Sequence, residues 1–225
     1  MTGFRLDQSG LAPIPGSTRN LAPGADPAQV GFSPDGATLV VTDRATSALL
    51  AFPVQASGAL GAPATVASSG PTPYGFAFTP SGTLVVTEAF GAQPGKAAAS
   101  SYRLSGPSPV PVSRSVGNGR SEICWAVATR DGRYVFTTNF ADGAVSRYAV
   151  SADGALDLQD ATAGLAVDGR AGLRDAALSG DDRFLYAIDA DSRQICGWAH
   201  DGHGALRPLG SWPGATETLA GLAVG

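Results

Sequence analysis

Short β-prone apolar runs alternate with turn residues along this chain, and the alternation recurs at a regular interval. The clearest turn reads Ser-Pro-Asp-Gly at 33–36, Thr-Pro-Ser-Gly at 79–82, Thr-Arg-Asp-Gly at 129–132 and Ser-Gly-Asp-Asp at 179–182. Successive copies lie 46 to 50 residues apart, each between apolar runs such as 30–32 and 39–42. Asp and Gly supply the positive φ angles and side-chain hydrogen bonds that a tight hairpin needs. The pattern therefore predicts a series of β-hairpins.

Two further markers keep the same interval. One aromatic residue recurs in a later apolar run, at Phe4, Phe52, Tyr102, Tyr148 and Trp198. A Gly-Ala-Leu turn follows at 58–60, 154–156 and 204–206, with Gly10-Leu11 before them and a departure at 105–107. Three markers in register over four copies indicate an internal repeat. We interpret all five aromatic residues as core residues that pack between repeats.

Each repeat is predicted to hold four strands, A to D, with the first marker at the A–B turn and the Gly-Ala-Leu marker at the C–D turn. Four strands at this period are typical of a β-propeller blade, whereas the rungs of a parallel β-helix are much shorter. The predicted fold class is therefore all-β, a single propeller domain of four-stranded antiparallel blades. Its parts are a partial blade at 1–26, four complete blades at 27–70, 71–119, 120–170 and 171–218, and a partial strand A at 219–225.

The two ends allow two arrangements. They could meet and close a five-bladed ring that lacks one strand B, or the chain could be part of a larger propeller. We favour the second, in which the Phe4 segment and the Leu222 segment do not share a sheet. The blades would then form an open arc with apolar surface at both ends, and self-association is a consequence we expect.

Composition excludes several classes of protein. Charged residues make up 15% of the 225 residues, and the 30 glycines and 16 prolines argue against long helices. The net charge of −4 comes without a basic stripe, so no nucleic-acid partner is predicted. No apolar run reaches the roughly 18 residues of a membrane helix. The first residues do not resemble a signal peptide, and both cytoplasmic and secreted locations stay open.

The cysteines and histidines do not suggest a reactive centre. Cys124 falls in a predicted strand A and Cys196 in a strand C, too far apart for the Cα limit of about 7 Å, so we predict free thiols. His200 and His203 fall in a C–D turn, where we expect solvated side chains. A Gly-x-Ser-x-Gly elbow, a phosphate loop and a His-Glu-x-x-His motif are all absent from the sequence. We predict neither a cofactor nor a metal.

The D–A and B–C loops share one face of a propeller, which normally carries the pocket. The D–A loops offer Gln29, Tyr74, Glu122, Trp125, Arg174 and Asp175. Arg174 at the channel mouth could hold a carboxylate or phosphate by a two-pronged contact, or it could pair with Asp175. We assign Arg174 and Asp175 to a catalytic site, and Tyr74 and Trp125 to ligand binding.

The B–C loops begin with an acid or amide in every blade: Asp43, Glu88, Asn139 and Asp189. One interpretation is a polar ring that binds a hydroxylated small molecule or a hard cation such as Ca²⁺. The other is that these residues terminate a strand by hydrogen-bonding into the following turn. Under the first interpretation, Glu88 and Asp189 are candidate catalytic residues, and Asp43 and Asn139 are candidate ligand contacts.

The segments at 31–42 and 173–178 resemble the lactonase-type seven-bladed propellers, and the similarity extends over essentially the whole chain. That family includes 6-phosphogluconolactonase and carboxymuconate cyclase-like proteins. The resemblance implies seven blades, so roughly two and a half would precede Met1. Related repeats also occur in non-catalytic surface proteins, so a binding or scaffold propeller is the alternative function.

The resemblance also implies a reaction. Family lactonases position water against the carbonyl of a cyclic ester, aided by arginine, acidic and often histidine residues in the central cleft. Only Arg174, with Asp175, matches such a segment, and the strand starts at 73–75 and 123–125 carry no histidine. Hydrolysis needs a base and an oxyanion donor. We assign Glu88 or Asp189 as the base and Arg174 as the donor, with a small sugar-derived or carboxylated lactone as substrate.

Overall fold

The computed structural model describes residues 1–106, 108–166, 170–216 and 218–224. One two-stranded hairpin precedes four four-stranded antiparallel sheets, named blades 1 to 4, so the predicted fold class is confirmed. The hairpin comprises β1 (Phe4–Asp7) and β2 (Gly10–Pro13). Blade 1 comprises β3 (Pro27–Phe32), β4 (Thr38–Asp43), β5 (Ala48–Pro53) and β6 (Ala64–Ala67), and blade 2 comprises β7 (Pro73–Phe78), β8 (Leu84–Glu88), β9 (Ala98–Ser105) and β10 (Ser108–Gly117). Blade 3 comprises β11 (Ile123–Ala128), β12 (Tyr134–Asn139), β13 (Ala144–Val150) and β14 (Leu156–Leu165), and blade 4 comprises β15 (Leu173–Leu178), β16 (Phe184–Asp189), β17 (Gln194–His200) and β18 (Leu206–Pro213). One 3₁₀ turn spans Phe90–Ala92. The described part of the chain has no helix long and apolar enough to cross a membrane.

The A–B turns have the chemistry that the sequence predicts. In blade 1 the Ser33 hydroxyl donates to Asp35 Oδ1 at 2.5 Å, and Thr129 and Ser179 donate to Asp131 and Asp181 at 2.6 and 2.7 Å. The last turn residue of each marker has a positive φ, from 59° to 88°. Glycine occupies this position in three blades because a left-handed backbone costs it little.

The interfaces between consecutive blades repeat a single arrangement. A central strand-B residue, Val40 in blade 1, Val85 in blade 2 and Phe136 in blade 3, faces the next blade and is fully buried. It shares a core cluster with a strand-A residue of that next blade, namely Phe76, Ala126 or Ala176. The strand-C aromatics Tyr102, Tyr148 and Trp198 belong to the same clusters, as predicted. We call this arrangement the blade junction.

Phe52 is also buried, but Phe4 is not a core residue, and that prediction was wrong. Phe4 is 53% exposed, because β1 pairs only with β2 and the described chain places no other sheet against it. Instead, Met1 and Leu21 pack on blade 1 beside Leu39 and Phe52.

The C-terminal segment differs from its predicted strand A. Residues 219–224 form no strand, although Leu219 and Leu222 pack against Ile188 and Ala215 on blade 4. The Leu222 N–H donates to Asp175 Oδ2 at 2.8 Å. The segment is thus tied to blade 4 by this hydrogen bond and by apolar packing, and not by the ladder of backbone hydrogen bonds that a strand A would form. As predicted, the hairpin strands and this segment do not share a sheet.

His200 is not a solvated turn residue, contrary to expectation. It ends β17 and is buried, with its ring 5.5 Å edge-on from Phe136 of blade 3. Its Nε2 accepts the Gly204 N–H at 3.1 Å, and its Nδ1 lies 2.8 Å from the Asp182 carbonyl oxygen. Because a carbonyl only accepts, Nδ1 carries the proton, and His200 is a structural residue of the blade 3–4 junction.

Candidate functional site

A cleft of about 530 Å³ opens on the face formed by the D–A and B–C loops. We call it the axial cleft, because the first residues of the innermost strands, β7, β11 and β15, form much of it. Its lining comprises Arg44, Thr72, Tyr74, Ala89, Gly91, Ala92, Glu122, Cys124, Trp125, Phe140, Arg174, Asp175 and Ala220. Four residues that the sequence analysis assigns to the site, Tyr74, Trp125, Arg174 and Asp175, thus line one cavity on the predicted face.

Threonines in strand B fix where each innermost strand begins. The hydroxyl of Thr42 donates to the Tyr74 carbonyl oxygen at 2.6 Å, that of Thr87 to Cys124 at 2.8 Å, and that of Thr138 to Arg174 at 2.5 Å. Each bond joins one blade to the next at the cleft wall. The three contacts therefore hold the cleft-lining side chains in register around the axis.

The cleft has two arginines on its wall. The Arg44 guanidinium lies 2.6 Å from Asp26 and 5.0 Å from the centre of the Tyr74 ring, and the hydrogen bond to Asp26 raises its pKa. The Arg174 guanidinium lies 5.5 Å from the centre of the Phe140 ring. Stacking on an aromatic ring holds a planar guanidinium in a defined orientation. Both groups are therefore oriented cations beside an apolar cavity.

Asp175 is the buried acid of the cleft, with 7% of its surface exposed. Its Oδ1 accepts the Ala176 N–H at 2.7 Å and its Oδ2 accepts the Leu222 N–H. Burial raises the pKa of this carboxyl, and the two N–H donors oppose that rise. Burial favours the protonated form, which moves the pKa towards the range useful for a general base. Glu122 is a second acid on the cleft wall.

Tyr74 and Trp125 meet edge to face, with ring centres 6.1 Å apart. Burial raises the pKa of Tyr74, and it raises the pKa of the neighbouring Cys124 thiol to about 12. Both groups are therefore neutral near pH 7, and a neutral thiol is a weak nucleophile. Cys124 and Cys196 are not joined by a disulfide, as predicted.

The four strand-B candidates, Glu88, Asp189, Asp43 and Asn139, are not among the residues that line the axial cleft. All four are buried, and they hydrogen-bond to neighbouring loops and strands. Asp43 accepts the Asp26 and Ala45 N–H groups at 2.8 and 3.2 Å, and Asp189 Oδ1 accepts the Ser192 N–H at 3.0 Å. Asn139 donates to the Ala144 carbonyl at 3.0 Å. The strand-terminating interpretation therefore fits their positions better than a polar ring.

Sequence reasoning missed Arg44 and Phe140, and it placed Glu122 in a cleft-facing loop without giving it a role. Arg44 and Phe140 each directly follow a strand-B end, at Asp43 and Asn139. The sequence does carry a signal for both residues. Neighbouring side chains of a strand point to opposite faces, so the residue after a strand-B end can face the cleft when the strand-end residue does not. Within the described ranges, no group of three or more His, Cys, Asp or Glu side chains is placed to hold a metal.

The comparisons with known proteins point to one family. Residues 11–90 match the family described as lactonase, 7-bladed β-propeller. No curated protein matches the chain in sequence.

Several solved structures share the fold at low sequence identity. A protein from Lactobacillus plantarum is 18% identical with a TM-score of 0.75, over 96% of this chain and 65% of its own. A putative 6-phosphogluconolactonase from Bacteroides uniformis is 16% identical, with a TM-score of 0.71 over 95% of this chain and 65% of its own.

The periplasmic gluconolactonase of Pseudomonas aeruginosa is 19% identical, with a TM-score of 0.72 over 96% of this chain and 64% of its own. This chain thus spans a little under two thirds of the length of each of these three structures. Together, the match at 11–90 and the shared blades confirm the resemblance of this chain to the seven-bladed lactonase propellers.

Proposed function

We propose that the axial cleft binds a small carboxylated or sugar-derived lactone and opens its ring by hydrolysis. The observation that carries this proposal is the adjacency of an oriented arginine, Arg174, and a buried carboxyl of raised pKa, Asp175, in one cavity. The names of two structural relatives, a putative 6-phosphogluconolactonase and a gluconolactonase, support the same reaction class.

The chemistry needs two groups. Asp175 takes a proton from a water molecule whose oxygen attacks the lactone carbonyl carbon, and Arg174 stabilises the negative charge that develops on the carbonyl oxygen. The ring C–O bond then breaks, and the leaving oxygen takes up the proton to give a hydroxy acid. Arg44 supplies a second positive charge near a substrate carboxylate, while Tyr74 and Trp125 offer apolar faces to a ring.

Arg174→Gln is expected to lower lactone turnover by about 100-fold, because it removes the charge opposite the developing oxyanion. The melting temperature should stay close to that of the unchanged chain, since partly exposed substitutions usually shift stability by about 0.5 kcal/mol or less. Ring opening of a lactone panel is followed by acid release with a pH indicator. Arg183→Gln is the matched control, because Arg183 lies in a solvent-exposed A–B turn of the same blade.

Three results would contradict this proposal. The unchanged chain could fail to open any lactone of the panel, Arg174→Gln could keep full turnover, or it could lose its fold together with its activity. Saturable binding of a hydroxy acid without turnover would instead favour the alternative, a non-catalytic binding propeller.

A further inference from the structure

The last residue of the D–A loop has a positive φ in blades 2, 3 and 4. Thr72, Glu122 and Gly172 occupy this position, with φ angles of 56°, 52° and 142°. The carbonyl oxygen of each accepts the N–H of the residue that follows strand B in the same blade, at 3.0, 2.8 and 3.0 Å. The conformation is therefore a repeated feature that joins the D–A loop to the B–C loop at the cleft face.

Glutamate is an unusual residue for this backbone conformation. A positive φ brings a Cβ close to the backbone, and asparagine and aspartate tolerate that conformation better than glutamate does. Blade 4 makes the same loop-to-loop hydrogen bond with a glycine, Gly172. The bond therefore does not require the side chain of Glu122. Non-glycine residues held in such conformations concentrate at functional sites, so the side chain itself calls for an explanation.

The Glu122 side chain lies on the wall of the axial cleft and is partly exposed. Burial raises the pKa of the Cys124 thiol to about 12, and the Glu122 carboxylate adds to that rise. The guanidinium groups of Arg174 and Arg44 oppose it, so the acid and both cations act on the same part of the cleft. Within the described ranges, no ion pair or side-chain hydrogen bond engages the Glu122 carboxylate. Its oxygens can therefore accept hydrogen bonds from a ligand.

We propose that Glu122 determines substrate specificity by accepting a hydrogen bond from a ring hydroxyl of the lactone, an inference that rests on the proposed function. Arg174 faces the ester carbonyl in that function, so a carboxylate in the same part of the cleft contacts the ring beside the reacting group. A carboxylate accepts a strong hydrogen bond from a hydroxyl, and it repels a second carboxylate. The cleft therefore favours a hydroxylated lactone. An analogue without the hydroxyl is rejected because it leaves the polar group of the site unpaired.

Turnover of two lactones with the same ring size tests this inference on the full chain, with the uncatalysed rate subtracted. Glucono-δ-lactone carries ring hydroxyls, and δ-valerolactone carries none. Glu122→Gly should raise KM for glucono-δ-lactone by about 10- to 100-fold, with a smaller effect on kcat, and should leave the kinetics of δ-valerolactone unchanged. Glu122→Gln should lose less, because its amide oxygen can still accept the hydroxyl. The melting temperature of Glu122→Gly should not fall, since glycine adopts a positive φ at little cost.

Asp182→Gly is the matched control for the change in backbone freedom. Asp182 also has a positive φ, of 59°, but it lies in an A–B turn on the face opposite the cleft. In the other three blades the equivalent turn position is already glycine. This substitution should therefore change the kinetics of neither lactone.

Calorimetric titration of gluconate separates failure of this inference from failure of the proposed function. Loss of the preference for glucono-δ-lactone in Glu122→Gly, but not in Asp182→Gly, supports the inference. Equal losses for both lactones, or no loss for either, overturn it and leave lactone hydrolysis standing. If the unchanged chain opens neither lactone, the proposed function fails. Gluconate binding that weakens only in Glu122→Gly then still supports hydroxyl recognition by Glu122, whereas equal or absent gluconate binding in the three chains overturns it.

Discussion

Glu88→Ala is expected to lower the free energy of unfolding by about 3 kcal/mol, because several buried donors would lose their acceptor together. Glu88 is fully buried at the end of β8. Its Oε1 accepts the Gly70 N–H at 2.8 Å and the Ser100 hydroxyl at 2.7 Å, and its Oε2 accepts the Ser115 hydroxyl at 2.7 Å. These bonds tie the D–A loop to strands C and D of blade 2.

Thermal unfolding of the two chains measures this effect, and a melting temperature lower by roughly 6 to 12 °C is expected. Glu88→Gln is the matched control. Its amide oxygen can still accept the Gly70 N–H, and its amino group can donate to the Ser115 hydroxyl, so the loss should stay near 1 kcal/mol. An unchanged melting temperature together with lost lactone turnover would show instead that Glu88 acts as the catalytic base.

Gly75→Ala is expected to cost about 2 to 3 kcal/mol of stability and to weaken ligand binding in the axial cleft. A Cβ at this position would lie 2.6 Å from the Cys124 carbonyl oxygen and 2.9 Å from the Trp125 Cα. Both atoms belong to the backbone, so no side-chain rotation can relieve the contact. Strands β7 and β11 must separate, which disturbs the Thr87 hydrogen bond to Cys124 and the edge-to-face pair of Tyr74 and Trp125.

Thermal melts measure the stability loss, and calorimetric titration of a hydroxy acid measures the binding loss. The control is Gly180→Ala, because a Cβ on Gly180 meets no atom within 4 Å. That substitution should change stability by no more than about 0.5 kcal/mol. If Gly75→Ala matched this control in both measurements, the close approach of β7 and β11 would not shape the cleft.

Local chemistry made the blades predictable from sequence. The A–B turns need a short hydroxyl or carboxylate side chain and a positive φ, and those needs appear as a recurring motif that ends at Gly36, Gly82 or Gly132. Burial of Tyr102, Tyr148 and Trp198 follows from their repeat position. Phe4 occupies the equivalent position of the repeat, but it could be buried only against a facing sheet, and the described chain has none there. The presence or absence of such a sheet cannot be predicted from the local sequence pattern.

The candidate site was predictable only in part, for a geometric reason. Arg174 and Asp175 begin an innermost strand, so their repeat position alone places them at the axis. Glu88 ends a strand B and is one position away from a cleft-facing residue, which is enough to turn it into the blade. A sequence pattern that defines strand ends to within a residue or two cannot separate these two outcomes. The contact between Leu222 and Asp175 depends on tertiary packing alone.

The pH dependence of lactone opening, measured from about pH 4 to pH 9, tests the central claim that Asp175 is the base of the axial cleft. The active form is the carboxylate, and burial raises the pKa of Asp175. Turnover should therefore be constant at high pH and should fall as the pH drops through that raised pKa. Asp175→Asn should lower the high-pH turnover by about 100-fold or more, with its fold intact. Equal turnover by the two chains at every pH would contradict the account.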